Sequence, residues 1–176
     1  MSRLRIVGGS DAGISAGLRA TELDPAVEPL LVVADAYPNF SICGIPYHVS
    51  GEVLDWRSLA HRSRSDLETA GLTLRLDTTA QRIDPAARTL TVTGPGGVEA
   101  IGYDQLVIGT GAVPARPPIG GLDRLGPADG VHVLHTTGDT FALTDTLARD
   151  PATAVIVGPA TSGWRWPKRC APAGWP

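Results

Sequence analysis

Two short stretches of this chain hold residues that could do chemistry. In NFSICGIPYHVSG, residues 39–51, Cys43 stands between an isoleucine and a glycine, ahead of Pro46 and Tyr47. A cysteine so placed can be a small buried hydrophobe, a metal ligand or a redox nucleophile. No second cysteine or histidine lies at ligand spacing, and His48 is isolated, so no metal site is expected. A redox role needs the thiolate, which a helix start, a positive neighbour or an adjacent electron acceptor favours. Gly44 and the segment after it could supply such a helix start.

The second stretch is LRIVGGSDAGISAGLRATELD. Leu4 to Gly9 is a short apolar run ending in glycine, as expected of a buried parallel strand. Behind it Ile14 and Leu18 share one helical face, with Ala16, Ala20 and Leu23 on the adjacent stripe, and Pro25 ends the helix. Pro29 to Asp35, PLLVVAD, reads as a second apolar strand closed by a carboxylate. This is a βαβ unit, and its acid falls about 20 residues after the glycine turn, where a ribose hydroxyl would be held. Gly8 would permit the tight turn out of the strand and Gly13 the close helix–strand packing. Amides at the helix start, from Gly9 through Ser10, Asp11 and Ala12 to Gly13, would face a pyrophosphate. Ser10 occupies the middle glycine position and narrows backbone approach without blocking it. The alternatives are a purely structural turn and, for Asp35, a solvated strand end.

The elements around these stretches follow from the pattern of the chain. Leu72 to Ile101 reads as short alternating strands (LTLRL, AQRID, RTLTVTG, VEAI) with DPAAR and GPGG as turns, an antiparallel insertion. Gln105 to Ile108 is another buried strand, running into Thr110, Gly111 and a proline-rich loop. Asp139 to Arg149 reads as a helix, with Leu143 and Leu147 one turn apart. Thr153 to Gly158, TAVIVG, would open one more buried strand. The fold class expected is α/β: a Rossmann-like parallel sheet with helices, carrying an antiparallel β insertion.

Composition narrows the function classes. The 176 residues suit one domain of ordinary size, and 43% hydrophobic content with a net charge of −3 gives no nucleic-acid bias. No signal peptide is evident and no apolar run is long enough to span a bilayer, so a cytoplasmic location without membrane partners is expected. With only 2 cysteines, Cys43 and Cys170, a disulfide framework is excluded. The end of the chain differs from the rest: Trp164, Trp166, Trp175 and the only lysine, Lys168, lie there among Pro159, Pro167, Pro172 and Pro176.

Taken together, these motifs resemble the front part of the FAD-dependent pyridine nucleotide-disulfide oxidoreductases. The likeness is to the single-cysteine branch of coenzyme A-disulfide reductases, NADH oxidases and NADH peroxidases. NFSICGIPY is similar to the segment that carries the redox cysteine in that branch, and YDQLVIGTGAVPARPPIGG to a segment of its flavin domain. AQRIDPAARTLTV resembles the strand pair crossing that domain, and AVIVG the opening of the NAD(P)H domain. The match covers about residues 3 to 158, and as a set these motifs are specific.

The resemblance implies FAD held by Gly8, Gly9, Ser10, Asp11, Ala12, Gly13, Asp35, Ala80, Thr110 and Gly111, with Cys43 as catalytic residue facing the flavin. It implies NAD(P)H as reductant for the full-length protein, a small-molecule substrate and a homodimer. Neither CxxC nor CxxxxC is present, so Cys43 would cycle as a mixed disulfide or a sulfenic acid, or not at all. Asn39 and Arg19 are the candidate substrate contacts. Asn39 and Ile42 stand where coenzyme A reductases carry serine and asparagine, and Glu22 where they carry an arginine. These departures weaken the case for coenzyme A, and Arg19, which could substitute as a phosphate partner, also reads as an ordinary solvated helix arginine.

These motifs divide the chain into a flavin-binding part over 1–152, the opening strand of an absent NAD(P)H domain over 153–158, and an aberrant tail over 159–176. With suitably chosen codons, a shifted reading frame turns that tail into GYIGLEMAEALRARGLA, a glycine turn followed by an amphipathic helix. A frameshift near Gly158 is therefore expected, and with it an inactive chain. Three readings stand at this stage: a flavoenzyme fragment, a nicotinamide-only Rossmann dehydrogenase, and an inactive nucleotide-binding fragment.

Overall fold

The first apolar run is central because both its faces are covered. The computed structural model describes residues 2–157, and in it β1 (Ser2–Val7) lies inside a parallel sheet beside β2 (Val27–Val32). Two further strands, β3 (Thr73–Arg75) and β7 (Gln105–Ile108), complete the order β3-β2-β1-β7, all neighbours parallel. Side chains alternate along each strand, so Leu4 and Ile6 point to one face and Val7 to the other. The first face packs on α1 (Asp11–Leu23) through Ile14 and on α3 (Arg64–Thr69) through Leu67, with Leu31, Val33, Leu72 and Leu74. Val7 and Val32 meet Leu90, Val92 and Tyr103 on the opposite side. A strand covered on both faces is apolar on both, which is why Ile6-Val7 and the run Leu30–Val33 carry no alternation, while Arg5, half-buried nearer the start of β1, sends its guanidinium to the Glu28 carbonyl at 3.1 Å. Ile6, Leu31 and Leu67 are fully buried, each contributing about 1.5–3 kcal/mol by transfer from water.

The layer against Val7 and Val32 is the antiparallel insertion. It is a three-stranded sheet of β4 (Thr79–Asp84), β5 (Thr89–Gly94) and β6 (Gly97–Gly102) in the order β4-β5-β6. Its two hairpins turn at DPAAR and GPGG as the residue types require, and Arg88 takes a left-handed φ of 51°. LTLRL does not belong to it. Thr73–Arg75 extends the main sheet by pairing with Leu30–Val32 in parallel, and Leu72 and Leu74 bury against α1 and α3 instead.

The described chain forms two compact units. The first, residues 1–40 and 60–112, contains everything above, and an antiparallel bridge between Phe40 and Ala60 closes the point where the chain leaves and re-enters it. The second takes residues 41–59 and the chain from 113 onward. It holds a 3-10 turn at Ile42–Gly44, the short α2 (Ile45–Val49), and α4 (Thr137–Leu147). Trp56 packs edge-on to Phe141 with centroids 5.2 Å apart, and the Arg57 guanidinium lies 4.6 Å over the Trp56 ring. α4 starts two residues ahead of Asp139 because Thr136 and Asp139 form a capping box, each side chain meeting the other's backbone N–H.

Residues 153–157 form no strand, and Val155 is 89% exposed. Gly158 and the tail expected to carry the frame change lie outside the described residues. Among the described residues no helix is long and apolar enough to cross a membrane.

Candidate functional site

The parallel strands β1, β2 and β7 end together, and the chain turns sharply at each end. Gly8 donates its N–H to the Val32 carbonyl at 2.9 Å, and Gly109 donates to the Val7 carbonyl at 2.8 Å. Gly8 sits at φ 110°, and a Cβ built there would lie 2.0 Å from the Gly109 carbonyl oxygen. A Cβ on Gly13 would lie 2.4 Å from the Gly8 carbonyl oxygen and 3.1 Å from Ile6 Cγ2. Both positions therefore need glycine, Gly8 for its backbone angle and Gly13 for the packing of α1 on the strand exit. Ser10 Oγ donates to the Gly109 carbonyl at 3.4 Å and gives α1 no side-chain cap. No acceptor meets the amides of Asp11, Ala12 and Gly13 among the described residues. A 13-residue helix thus presents its positive end and free donors at the carboxyl edge of a parallel sheet, where an anion binds.

Other residues singled out in the sequence gather around this turn. Asp35 lies three residues past the end of β2 rather than inside the strand, half-buried. Its Oδ1 accepts the Tyr37 N–H at 3.2 Å, and this local turn takes the chain off the ladder. Its carbonyl accepts the Asp77 N–H at 3.3 Å. Thr110 and Gly111 follow Gly109 out of β7 and are exposed. Ala80 sits at the start of β4 against the Val7 and Val32 cluster, two residues after Thr78, whose N–H reaches the Val33 carbonyl at 2.9 Å.

Asn39 is buried and bonded through both its backbone and its side chain. It is 4% exposed, at φ 61°, and donates its backbone N–H to the Gly9 carbonyl at 2.9 Å. With its side-chain amide oriented to suit its neighbours, Nδ2 donates to Asp11 Oδ1 and Oδ1 accepts the Arg62 N–H, both at 2.9 Å. Arg19 stands on the exposed face of α1, paired with Glu22 at 2.8 Å, away from the turn. Gly109 was absent from the expected set although it anchors the turn; the glycine of IGTG directly after β7 was its signal. β7 itself, expected to be buried, is half-buried to exposed, with Ile108 at 63% because, among the described residues, nothing pairs beyond it at this edge of the sheet.

Cys43 belongs to the second unit. It is a free, exposed cysteine in the 3-10 turn that runs directly into α2, so a helix start does follow it. Gly44 packs against Leu59, and His48 Nδ1 is 2.8 Å from the Val53 carbonyl.

A parallel sheet of this order, with a glycine turn feeding a helix from its central strand, defines the dinucleotide-binding class of α/β proteins. The comparisons sharpen the class. The family model for pyridine nucleotide-disulphide oxidoreductases matches residues 2–164, and the chain belongs to that family. It is 27% identical over 155 residues to an NADH oxidase of Enterococcus faecalis, covering 87% of this chain and 34% of that protein. It is 26% identical to an NAD(P)H coenzyme A polysulfide/persulfide reductase of Pyrococcus horikoshii, covering 86% and 33%. The fold matches that of the reduced CoADR-RHD of Bacillus anthracis with a TM-score of 0.89 at 22% identity, over 96% of this chain and 30% of that one. The chain spans about a third of the length of the curated relatives it matches.

Proposed function

We propose that the chain is the flavin-binding part of an FAD-dependent NAD(P)H oxidoreductase that acts on a disulfide, a peroxide or oxygen through Cys43. The observation that carries this reading is the strand exit itself: free amides at Asp11–Gly13, on a turn where a Cβ at Gly8 or Gly13 would strike backbone. Those amides bind the FAD pyrophosphate, and the unshared oxygen of Asp35 accepts from the adenosine ribose. Ala80, Thr110 and Gly111 line the remainder of the cofactor. Bound FAD supplies two-electron redox chemistry, with NAD(P)H as the source of electrons.

Cys43 is the group that meets the acceptor. Its thiolate would attack a disulfide sulfur, forming a mixed disulfide and expelling one thiolate, or attack a peroxide, breaking the O–O bond to become a sulfenic acid and expelling hydroxide or alkoxide. Restoring the Cys43 thiolate takes two electrons and releases the second thiol from the mixed disulfide or water from the sulfenic acid; FAD, when bound, would supply that two-electron chemistry. The activities for which the relatives are named, oxidase and polysulfide/persulfide reductase, support a sulfur or oxygen acceptor. Because the chain covers a third of those relatives, turnover and homodimer formation are proposed for the longer architecture, and cofactor binding for this chain.

The test is spectroscopic. The chain reconstituted with FAD and reduced by two electrons should show a long-wavelength absorption band that Cys43→Ser removes while flavin stays bound. A band unchanged in Cys43→Ser would take the redox role away from that cysteine.

A further inference from the structure

The start of α1 carries no side-chain cap, whereas α3 and α4 are both capped. Ser63 with Asp66 and Thr136 with Asp139 form capping boxes at α3 and α4. At α1 the first-turn acid is Asp11, at the first helical position rather than the third, and its carboxylate satisfies none of the first-turn amides. Asn39 Nδ2 donates to it instead. That amide is fixed from three sides: the backbone of Asn39 bonds the Gly9 carbonyl, its Oδ1 takes the Arg62 N–H, and the residue is buried at φ 61°. A carboxylate in the first turn of a helix is drawn to the amides there and competes with any anion for them.

We infer that Asn39 is a positioning residue that holds the Asp11 carboxylate off the first-turn amides of α1 and so keeps them open for the cofactor phosphates. The inference rests on the flavin reading above. It moves Asn39 from the substrate, where the sequence placed it, to the upkeep of the phosphate site. Asn suits the position for two reasons: it tolerates the left-handed backbone, and its amide can donate to Asp11 while accepting from Arg62.

The experiment is an FAD titration, read as a dissociation constant, on the full chain and on three variants. Asn39→Gly keeps the backbone angle and removes the clamp, and it should weaken FAD about ten-fold, within what a carboxylate gains at a helix start. Asn39→Asp, which repels Asp11, should do the same and serves if the glycine variant folds poorly. Combining Asn39→Gly with Asp11→Ala, which keeps the backbone amide of residue 11, should return the constant to within about two-fold of the parent, since no carboxylate is left to compete. An equal loss with and without Asp11→Ala would overturn the inference and leave Asn39 a structural support only; no loss at all would overturn it too. Absence of FAD binding by the unmodified chain would instead remove the flavin reading, and this inference with it.

Discussion

Gly8→Ala is the sharpest probe of the strand exit. The residue sits at φ 110°, and an alanine forced there loses about 1–3 kcal/mol to backbone strain. Its Cβ would also lie 2.0 Å from the Gly109 carbonyl oxygen and 2.6 Å from the carbonyl carbon, so backbone must move, at a further cost of about 1–3 kcal/mol. The sum centres on about 4 kcal/mol, which for an m-value of about 2 kcal/mol/M lowers the urea midpoint by about 2 M. Two hairpin glycines calibrate the terms. Gly97 has φ 96° with nothing within 4 Å of its Cβ, so Gly97→Ala isolates the strain of about 1–3 kcal/mol. Gly96 has neither a positive φ nor a neighbour within 4 Å, and Gly96→Ala should change stability by less than about 0.5 kcal/mol. Urea unfolding followed by circular dichroism should rank the losses Gly8, Gly97, Gly96. A Gly8→Ala midpoint equal to that of Gly96→Ala would refute the close approach of the two strand exits.

Asp104 accepts from the Arg3 backbone N–H at 2.8 Å and from its guanidinium at 2.9 and 3.2 Å, and these bonds hold its carboxyl well below the usual carboxylate range. A depressed folded value stabilises above the unfolded pKa of about 3.9 and is lost as pH falls below it. Asp104→Asn should therefore lower the urea midpoint at pH 7, with the gap to the parent narrowing below about pH 4. Thr136→Ala removes the cap whose Oγ1 accepts the Asp139 N–H at 3.1 Å, and should cost about 1 kcal/mol, or about 2–4 °C in a thermal melt. Cys43 is exposed, so peptide mapping after a brief thiol alkylation without denaturant should find it modified; protection until urea is added would contradict its placement.

The parts of this fold legible in the chain are those specified locally. The glycine turn, the helix to Leu23 and both hairpins of the insertion follow from residues within a few positions of each other. β3 was not legible, because Thr73–Arg75 alternates like its antiparallel neighbours and only the distant edge of β2 makes it parallel. α3 spans six residues and buries only Leu67, too little for a helical period, though Ser63 and Asp66 three apart did announce its cap. The turn from Gly8 to Gly13 was readable from its glycines but not its anchor Gly109, about 100 residues on, and the role inferred for Asn39 likewise depends on Arg62 and Asp11, far from it in sequence.

The central claim, that the turn from Gly8 to Gly13 is built for the pyrophosphate of FAD, is tested most directly by calorimetric titration of the chain with FAD. The account predicts saturable one-to-one binding with a dissociation constant above micromolar, weak because the chain covers a third of its relatives and supplies part of the cofactor's contacts. That binding should disappear in a folded Gly13→Val variant, whose side chain would collide with the Gly8 carbonyl. A folded parent chain that shows no saturable FAD binding would contradict the claim, as would a Gly13→Val variant that binds FAD like the parent.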